Sequence, residues 1–311
     1  MHPKNNMIDQ ENNQLPPEIA IRIKAWQELL WANFAFFISG ALLAPFALSA
    51  ICPSLGFADF ADFQSKLGPI AKGQFPELLQ SVRGMALVNH FFTFLFPALL
   101  FVGFVKKEKA AEFLKADKLP RLSWLVLGLL AMLLSYPLIE WIYVLNAKLL
   151  NEDIALTGVQ DAIMRMNSPA DLVLNFLLVA VMAGVGEELL FRGIIQQLVM
   201  KLSRKPWIAI GITAFAFGFL HFHPQAFVPI TLMGVLLGYL YWRTGNIWVN
   251  IIAHTLFNGV QVVLKYFAED TAKVEGDALP WWSALLSAIL LALVIWYMER
   301  KARLEGQPFN E

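Results

Sequence analysis

Long apolar blocks alternate with short polar segments along most of the chain. A helix that crosses a bilayer needs about 20 largely apolar residues. Eight blocks meet or approach this length: Glu28–Ile51, Gly84–Val105, Ser123–Leu145, Asp171–Met200, Pro206–His221, Phe227–Trp242, Ile247–Phe267 and Trp281–Met298. The pattern predicts an all-α, multi-pass transmembrane bundle of about eight helices, of which the fifth and sixth are short.

Composition agrees with a membrane protein and narrows the partners. Hydrophobic residues make up 58% of the chain and charged residues 15%, against about 45–50% and about 25% in soluble domains. The net charge of zero argues against a nucleic-acid partner, because such partners need a basic face. The single cysteine, Cys52, can form neither an internal disulfide nor a multi-thiolate metal site.

Basic residues favour one side of the predicted membrane. With the N-terminus in the cytosol and the blocks alternating, sixteen of the 24 Lys and Arg residues fall in cytosolic segments and seven in outside segments. The positive-inside rule then places both termini in the cytosol and the chain in the cell membrane. The polar stretch Met1–Arg22 lacks the layout of a signal peptide.

The chain divides into five segments by these blocks. They are a cytosolic polar tail at 1–24, the first membrane helices with an amphipathic loop at 25–122, a core at 123–267, an outside loop and last helix at 268–299, and a cytosolic tail at 300–311. Within the second segment, Gly56–Glu77 has phenylalanines among charged residues. It predicts either a helix on the membrane surface or an ordinary loop.

The fourth block contains charged side chains where the bilayer disfavours them. An ionisable residue inside a spanning helix costs about 2.5–3.5 kcal/mol, so it pairs with a partner or serves a function. Glu188 and Arg192 are four residues apart and can form an ion pair on one helix face. Glu187 points about 100° away and is a candidate general base. Glycines at 184, 186 and 193 allow other helix backbones to approach.

Two further blocks supply imidazole and amide groups. His221 ends the fifth block, with His223 beside it in a more loop-like position. Asn250, His254 and Asn258 form one stripe of the seventh block, at spacings of four residues. Each group has a structural alternative, either packing or hydrogen bonding between helices. His90, in the second block, has no polar neighbours and is interpreted as structural.

Together these residues provide the groups needed to add water to a carbonyl. Glu187 is the base, His221 an imidazole, and His254 with Asn258 can donate hydrogen bonds to an oxyanion. A metal held by Glu187, His221 and His254 is an alternative, although the chain has no His-Glu-x-x-His motif.

At these positions the chain resembles the CPBP family of intramembrane proteases, named for CAAX proteases and bacteriocin-processing proteins. The motif Glu-Glu-x-x-x-Arg is matched by Glu187, Glu188 and Arg192, and His-x-x-x-Asn by His254 and Asn258. Phe-x-x-x-His is matched by Phe217 and His221, which we prefer because that histidine still lies on the apolar block; Phe219 and His223 also satisfy it. The resemblance covers about Ser123 to Phe267.

The resemblance implies a glutamate-dependent endopeptidase that acts on a peptide or protein substrate at the lipid bilayer, with CAAX-like and lipidated peptides among the candidates. By this likeness Glu187 and His221 activate water, His254 and Asn258 stabilise the oxyanion, and Glu188 with Arg192 support the site. No cofactor is implied, and a metal remains an alternative. Two other readings stay open: a non-catalytic membrane partner, such as an immunity protein, and a transporter or proton relay.

Overall fold

The computed structural model describes residues 16–150, 158–269 and 279–306. Over these ranges all regular secondary structure is helical, and there is no strand. Apart from a short turn at Pro53–Leu55, the helices are α1 Pro17–Ile51, α2 Phe60–Ala71, α3 Pro76–Phe113, α4 Leu122–Leu149, α5 Gly158–Met164, α6 Pro169–Ser203, α7 Pro206–Phe219, α8 Pro224–Thr244, α9 Ile247–Glu269 and α10 Trp281–Leu304. The predicted all-α, multi-pass bundle is confirmed.

Seven of the described helices are long and apolar enough to cross a membrane: α1, α3, α4, α6, α8, α9 and α10. The fifth predicted block is different. Its helix, α7, has 14 residues, which is about 21 Å at 1.5 Å per residue and too short for a hydrocarbon core about 30 Å thick. Helix α7 is therefore too short to cross the hydrocarbon core by itself.

Helix α1 begins earlier than its apolar block indicates. Pro17 occupies the first helical position, where its missing N–H is not needed and its fixed φ suits a helix. Residues 17–24, predicted as polar tail, are therefore helical, whereas residues 1–15 lie outside the described range.

Apolar side chains face outward along the spanning helices. Large ones remain exposed on α1 and α10, including Trp31, Phe34, Phe46, Ile289 and Leu293. A soluble protein rarely exposes contiguous apolar surface on this scale. The outward faces of these helices are therefore suited to contact with lipid tails.

The amphipathic segment after α1 is a helix that packs on protein. Asp59 caps α2 by accepting a hydrogen bond from the Asp62 backbone N–H at 2.8 Å. The apolar face of α2, with Phe63 and Ile70, is buried in a cluster that includes Cys52. The segment is thus not a loop, and much of the face that would bind lipid is covered by the chain itself. Cys52 is a packing thiol in this cluster.

A buried polar cluster joins α3 to α6. Arg83 forms an ion pair with Asp171 and donates from Nε to Asn175 Oδ1 at 2.8 Å. Gln80 Nε2 also donates to Asp171 Oδ1, at 2.7 Å. Because a buried charge is stable only when it is paired and hydrogen-bonded, these contacts fix the register of α3 against α6. The sequence analysis did not identify this cluster.

Glycine lets α7 pack directly on α8. A Cβ at Gly218 would lie 2.1 Å from Thr231 Oγ1 and 3.1 Å from the Phe227 carbonyl oxygen. We expect Gly218→Ala to lower the free energy of unfolding by about 1–3 kcal/mol, as overpacking does. Gly211→Ala on the same helix is the matched control, because nothing lies within 4 Å of its added Cβ. Thermal unfolding in detergent measures both, and equal midpoints for the two variants would contradict this packing.

Candidate active site

Helix α6 carries the two adjacent glutamates in its middle, at Ala183–Glu188. The helix widens into π-helical turns on either side, at Phe176–Met182 and Leu189–Gln196. Such turns are rare and frequently mark functional sites. The glutamates are therefore held on a spanning helix whose regular hydrogen-bonding pattern is interrupted around them.

Glu188 is the centre of a fully buried hydrogen-bond network. Its Oε1 accepts from Arg192 Nη1 at 2.8 Å and lies 2.8 Å from His254 Nδ1. Its Oε2 accepts from Asn250 Nδ2 at 3.1 Å. The predicted pair of Glu188 and Arg192 is present, and Arg192 also donates from Nη2 to the Gly234 carbonyl at 3.2 Å. Glu188 therefore connects α6 to α9, and its arginine extends the connection to α8.

Glu187 points away from this network, towards two imidazoles. Its Oε2 lies 3.9 Å from His254 Nε2, and its Oε1 lies 4.0 Å from His90 Nδ1. Both distances exceed a direct hydrogen bond. The Glu187 residue is only 6% exposed and His254 is 1% exposed. The carboxylate is thus bracketed by imidazoles within a nearly closed space.

The two ring nitrogens of His254 face different glutamates. Since Nδ1 is within hydrogen-bond distance of the Glu188 carboxylate, it carries a proton and donates. The opposite nitrogen, Nε2, is then the ring atom that faces Glu187. Glu188 thereby orients the imidazole for action at Glu187.

Counting residues from the ends of the helices puts His254 nearer the cytosolic end than Glu187, but the side chains meet. Gly193 of α6 packs beside Ile247, the first residue of α9. The last ten residues of α6, 194–203, therefore extend past the start of α9. Measured from this common level, Glu187 and His254 lie at nearly equal depth.

Glycines on α6 bring two neighbouring helices close to the glutamates. A Cβ at Gly184 would lie 2.5 Å from Thr255 Oγ1 of α9, and one at Gly186 would lie 2.9 Å from His90 Nε2 of α3. Substitution of either would push a neighbouring helix or side chain away. The predicted close approach of backbones is thus found on two sides of α6.

His221 lies at the exposed edge of the site, after the last turn of α7. Its Nδ1 lies 2.7 Å from the Phe217 carbonyl oxygen and donates to it, which leaves Nε2 as the acceptor. The Phe217 ring packs against both His221 and His254, with ring centroids 4.8 and 6.1 Å apart. Phe217 is fully buried, whereas Phe219 of the alternative motif is 56% exposed.

The α7–α8 turn that follows His221 is backbone-strained. Phe222 has a φ of 49°, a left-handed conformation that is unusual for a bulky residue. Such strain is concentrated at functional sites when the surroundings impose it. His223 precedes α8 and lies in this turn. His221 lies in it too, because α7 ends at Phe219, so the expectation that His221 lies on the apolar helix is wrong.

The amides of the α9 stripe have different neighbours. Asn250 Nδ2 donates to Glu188 and to the Leu237 carbonyl, the latter at 2.7 Å. Asn258 Nδ2 donates to the Val179 carbonyl of α6 at 3.1 Å, and its amide has a second N–H. Asn250 thus belongs to the buried network, whereas Asn258 lies one helical turn beyond His254 and is less deeply buried.

His90 is the neighbour of Glu187 that the sequence analysis assigned to structure. It lies on α3, 97 positions before Glu187, and its Nε2 is 3.2 Å from the Met182 carbonyl oxygen. A lone histidine with no polar companions gives no signal of such a contact. The small residue at Gly186, next to the glutamate, was the one indication that another helix approaches there.

A metal centre would need a different arrangement of these groups. Tetrahedral zinc with bonds of about 2.0–2.1 Å places its ligand atoms about 3.3 Å apart. The separations of 3.9 and 4.0 Å around Glu187 are longer. Among the described residues, no group of three or more His, Cys, Asp and Glu side chains is arranged to hold a metal ion.

Comparison with protein families identifies the segment that contains most of this site. Residues 169–260 match the family model described as type II CAAX prenyl endopeptidase Rce1-like. The match runs from the start of α6 into α9 and includes Glu187, His221 and His254, but not α3 with His90. Comparison with curated proteins and with solved structures gave no match.

Fold and geometry together define a multi-pass membrane protein with a buried cluster of carboxylates and imidazoles. The matched segment, residues 169–260, is similar to the Rce1-like type II CAAX prenyl endopeptidases, and this similarity supports a relation to the CPBP intramembrane proteases. The same similarity supports an intramembrane protease of the CAAX type in general.

Proposed function

We propose that this protein hydrolyses a peptide bond of a membrane-associated substrate with water activated by Glu187. The observation that carries the proposal is the position of the Glu187 carboxylate, 3.9 Å from His254 Nε2 and 4.0 Å from His90 Nδ1. A water molecule with hydrogen bonds of about 2.8 Å bridges two atoms at such a separation. A buried carboxylate that accepts a hydrogen bond from this water can also take its proton.

Charge balance supports His254 as a donor to the oxyanion. When ionised, Glu187, Glu188 and Arg192 carry a net charge of −1, which is costly inside a membrane. A second proton on His254, in addition to the one on Nδ1, makes the set neutral and gives both ring nitrogens a hydrogen to donate. Nδ1–H then donates to Glu188, and Nε2–H is available for the carbonyl oxygen of a substrate.

The proposed reaction follows from these positions. The water oxygen attacks the carbonyl carbon, its proton passes to Glu187, and the carbonyl electron pair moves to oxygen. His254 and Asn258 donate hydrogen bonds to that oxyanion, while the Nε2 lone pair of His221 orients the water. When the intermediate collapses, the C–N bond breaks and the amine leaves with the proton held by Glu187.

The exposed edge of the site favours a substrate with an apolar part. His221 is exposed, and Phe219 and Phe222 beside it are 56% and 76% exposed. Aromatic surface at the approach to a buried site is suited to an acyl or prenyl chain or an apolar peptide segment. We therefore propose a CAAX-like or otherwise lipidated peptide as the substrate class.

The proposed orientation keeps both termini in the cytosol. Basic residues lie near the ends of α3, α6, α8 and α10 that share one side of the bundle, namely Lys106, Lys201, Arg243 and Arg300. The positive-inside rule assigns this side to the cytosol, which supports a cell-membrane protein of this topology.

Cleavage by the purified protein tests this function. We expect cleavage of a farnesylated peptide with a CAAX ending, in detergent micelles, at a rate that a metal chelator does not change. The same peptide without its farnesyl group and a library of unmodified membrane peptides measure the contribution of the lipid. Mass spectrometry of the products identifies the bond.

Two results would contradict parts of the proposal. Loss of cleavage with chelator, and its recovery with added zinc, would place Glu187, His221 and His254 in a metal site. Failure of the wild type to cleave any probe would instead favour a non-catalytic membrane partner with the same fold.

A further inference from the structure

We propose that His90 is a positioning residue that holds the Glu187 carboxylate in its reactive orientation. This inference rests on the function proposed above. It assigns a role in the site to α3, a helix outside the segment that matches the protease family.

The first observation is that His90 is oriented by α6, the helix that carries Glu187. The ring donates from Nε2 to the Met182 carbonyl at 3.2 Å, five residues before the glutamate. This contact assigns the neutral tautomer with a lone pair on Nδ1, and Nδ1 is the atom 4.0 Å from Glu187 Oε1. A water molecule that donates one hydrogen to each acceptor fits this separation.

The second observation is that the surroundings leave the ring little freedom. Gly186 provides the space for it, since a Cβ there would lie 2.9 Å from His90 Nε2. The ring packs on Phe94 with a centroid distance of 4.8 Å, and Phe94 contacts Phe191 of α6 at 6.1 Å. Two turns away along α3, the ion pair of Arg83 with Asp171 fixes the same helix against α6.

The third observation is that Glu187 is bracketed. His254 approaches Oε2 and His90 approaches Oε1, at nearly equal distances of 3.9 and 4.0 Å. Because Glu187 makes no ion pair with Arg192, its orientation depends on these two imidazoles. A carboxylate held from one side only would rotate about its last side-chain bond, and misplacement of about 1 Å can cost about 100-fold in rate.

The neutral form of His90 is the one that serves this role. When it is protonated, Nδ1 carries a hydrogen and can no longer accept from the bridging water, so the water-mediated contact with Glu187 is lost. The groups that face His90 and influence its charge are Glu187 of α6, His254 of α9 and His221 after α7. The rate should therefore fall at acidic pH as His90 gains its proton.

Two substitutions separate hydrogen bonding from packing. His90→Gln keeps a donor for Met182 and an acceptor for the bridging water, but it does not titrate. His90→Leu keeps the approximate volume and removes both polar atoms. Asn89→Leu, at an exposed position one residue away on α3, is the matched control for an added apolar side chain.

The experiment measures kcat and KM for the farnesylated CAAX peptide from pH 5 to 9, with thermal unfolding of each variant alongside. We expect His90→Leu to lower kcat by about 10- to 100-fold with KM within about two-fold. His90→Gln should keep kcat within about five-fold of wild type near pH 8 and retain its rate to lower pH than wild type does. Asn89→Leu should match wild type throughout.

The outcomes separate this inference from the proposed function. If the wild type cleaves and His90→Leu has the same kcat and pH profile, His90 is a packing residue and the inference is wrong. Equal losses for the leucine and glutamine variants, with an unchanged pH profile, would also overturn it. If the wild type itself cleaves no probe, the result contradicts the proposed protease function and not the role of His90 within it.

Discussion

Replacing Glu187 by glutamine is expected to lower kcat by about a thousand-fold, the contribution typical of a general base, while the protein stays folded. Glutamine has nearly the same shape as glutamate, but its amide cannot accept a proton from water. KM should change little, because the substituted group acts on the water rather than on the substrate. Cleavage of the farnesylated CAAX peptide, followed by single-turnover kinetics, measures the loss.

The thermal stability of the Glu187→Gln variant, unlike its activity, should not fall. The nearest imidazole nitrogens lie 3.9 and 4.0 Å from Glu187, so glutamine breaks no direct hydrogen bond to them. It also removes one negative charge, and a His254 that gives up its second proton leaves Glu188 and Arg192 as a balanced pair, so no uncompensated charge remains in the membrane site. We therefore expect the thermal midpoint to remain the same or to rise, as happens when a strained functional group is removed.

Glu140 offers a matched control for this experiment. It is a half-buried carboxylate on the spanning helix α4, outside the Glu188 network. Glu140→Gln should leave kcat within about two-fold of wild type. Equal rates for the Glu187→Gln variant and wild type would exclude Glu187 as the base, and a collapse of its thermal midpoint would show that its role is structural.

The bundle could be predicted because length and apolar content are local properties. A block of about 20 apolar residues indicates a spanning helix without knowledge of its neighbours. Seven of the eight predicted blocks are long enough to span, and the fifth contains the shorter helix α7. The ion pair of Glu188 with Arg192 was also local, because a spacing of four residues fixes two side chains on one helix face. The glycine at 186 predicted that another helix comes close, although not which one.

Contacts between helices could not be predicted from the sequence in the same way. His90 meets Glu187 because Gly186 leaves space and Arg83 pairs with Asp171. The two residues of that ion pair are 88 positions apart, so sequence spacing gives no sign of it. Counting residues from the helix ends misplaces His254 relative to Glu187 for a related reason. The last ten residues of α6 extend past the start of α9, and an apolar block does not show where its neighbours begin.

Glu188 shows how a supporting residue can matter more for folding than the proposed base does. Its carboxylate accepts hydrogen bonds from α6 and α9, through Arg192, Asn250 and His254. Arg192 in turn lies 4.6 Å from the centroid of the Phe217 ring. The positions of α6, α7, α8 and α9 relative to one another therefore depend on one fully buried ion pair.

Removing Arg192 alone is consequently expected to be severe. Arg192→Met should lower the free energy of unfolding by about 3–5 kcal/mol, because it leaves the buried Glu188 carboxylate without its cation. The double variant Arg192→Met with Glu188→Gln should recover most of that loss, since no uncompensated charge remains. Unfolding in mixed micelles of denaturing and mild detergent measures both, and the difference from additivity gives the coupling between the two residues.

Activity should not follow stability in this pair of variants. The double variant keeps a folded bundle, but glutamine at 188 presents an amide to His254 in place of a carboxylate. The single amide oxygen cannot accept from both Asn250 and His254 in the way the two carboxylate oxygens do, and it carries no charge to stabilise an imidazolium. Cleavage should therefore stay at least about 100-fold below wild type. Recovery of cleavage together with stability would mean that Glu188 and Arg192 serve only to hold the helices. If stability recovers while cleavage stays lost, the pair also orients His254.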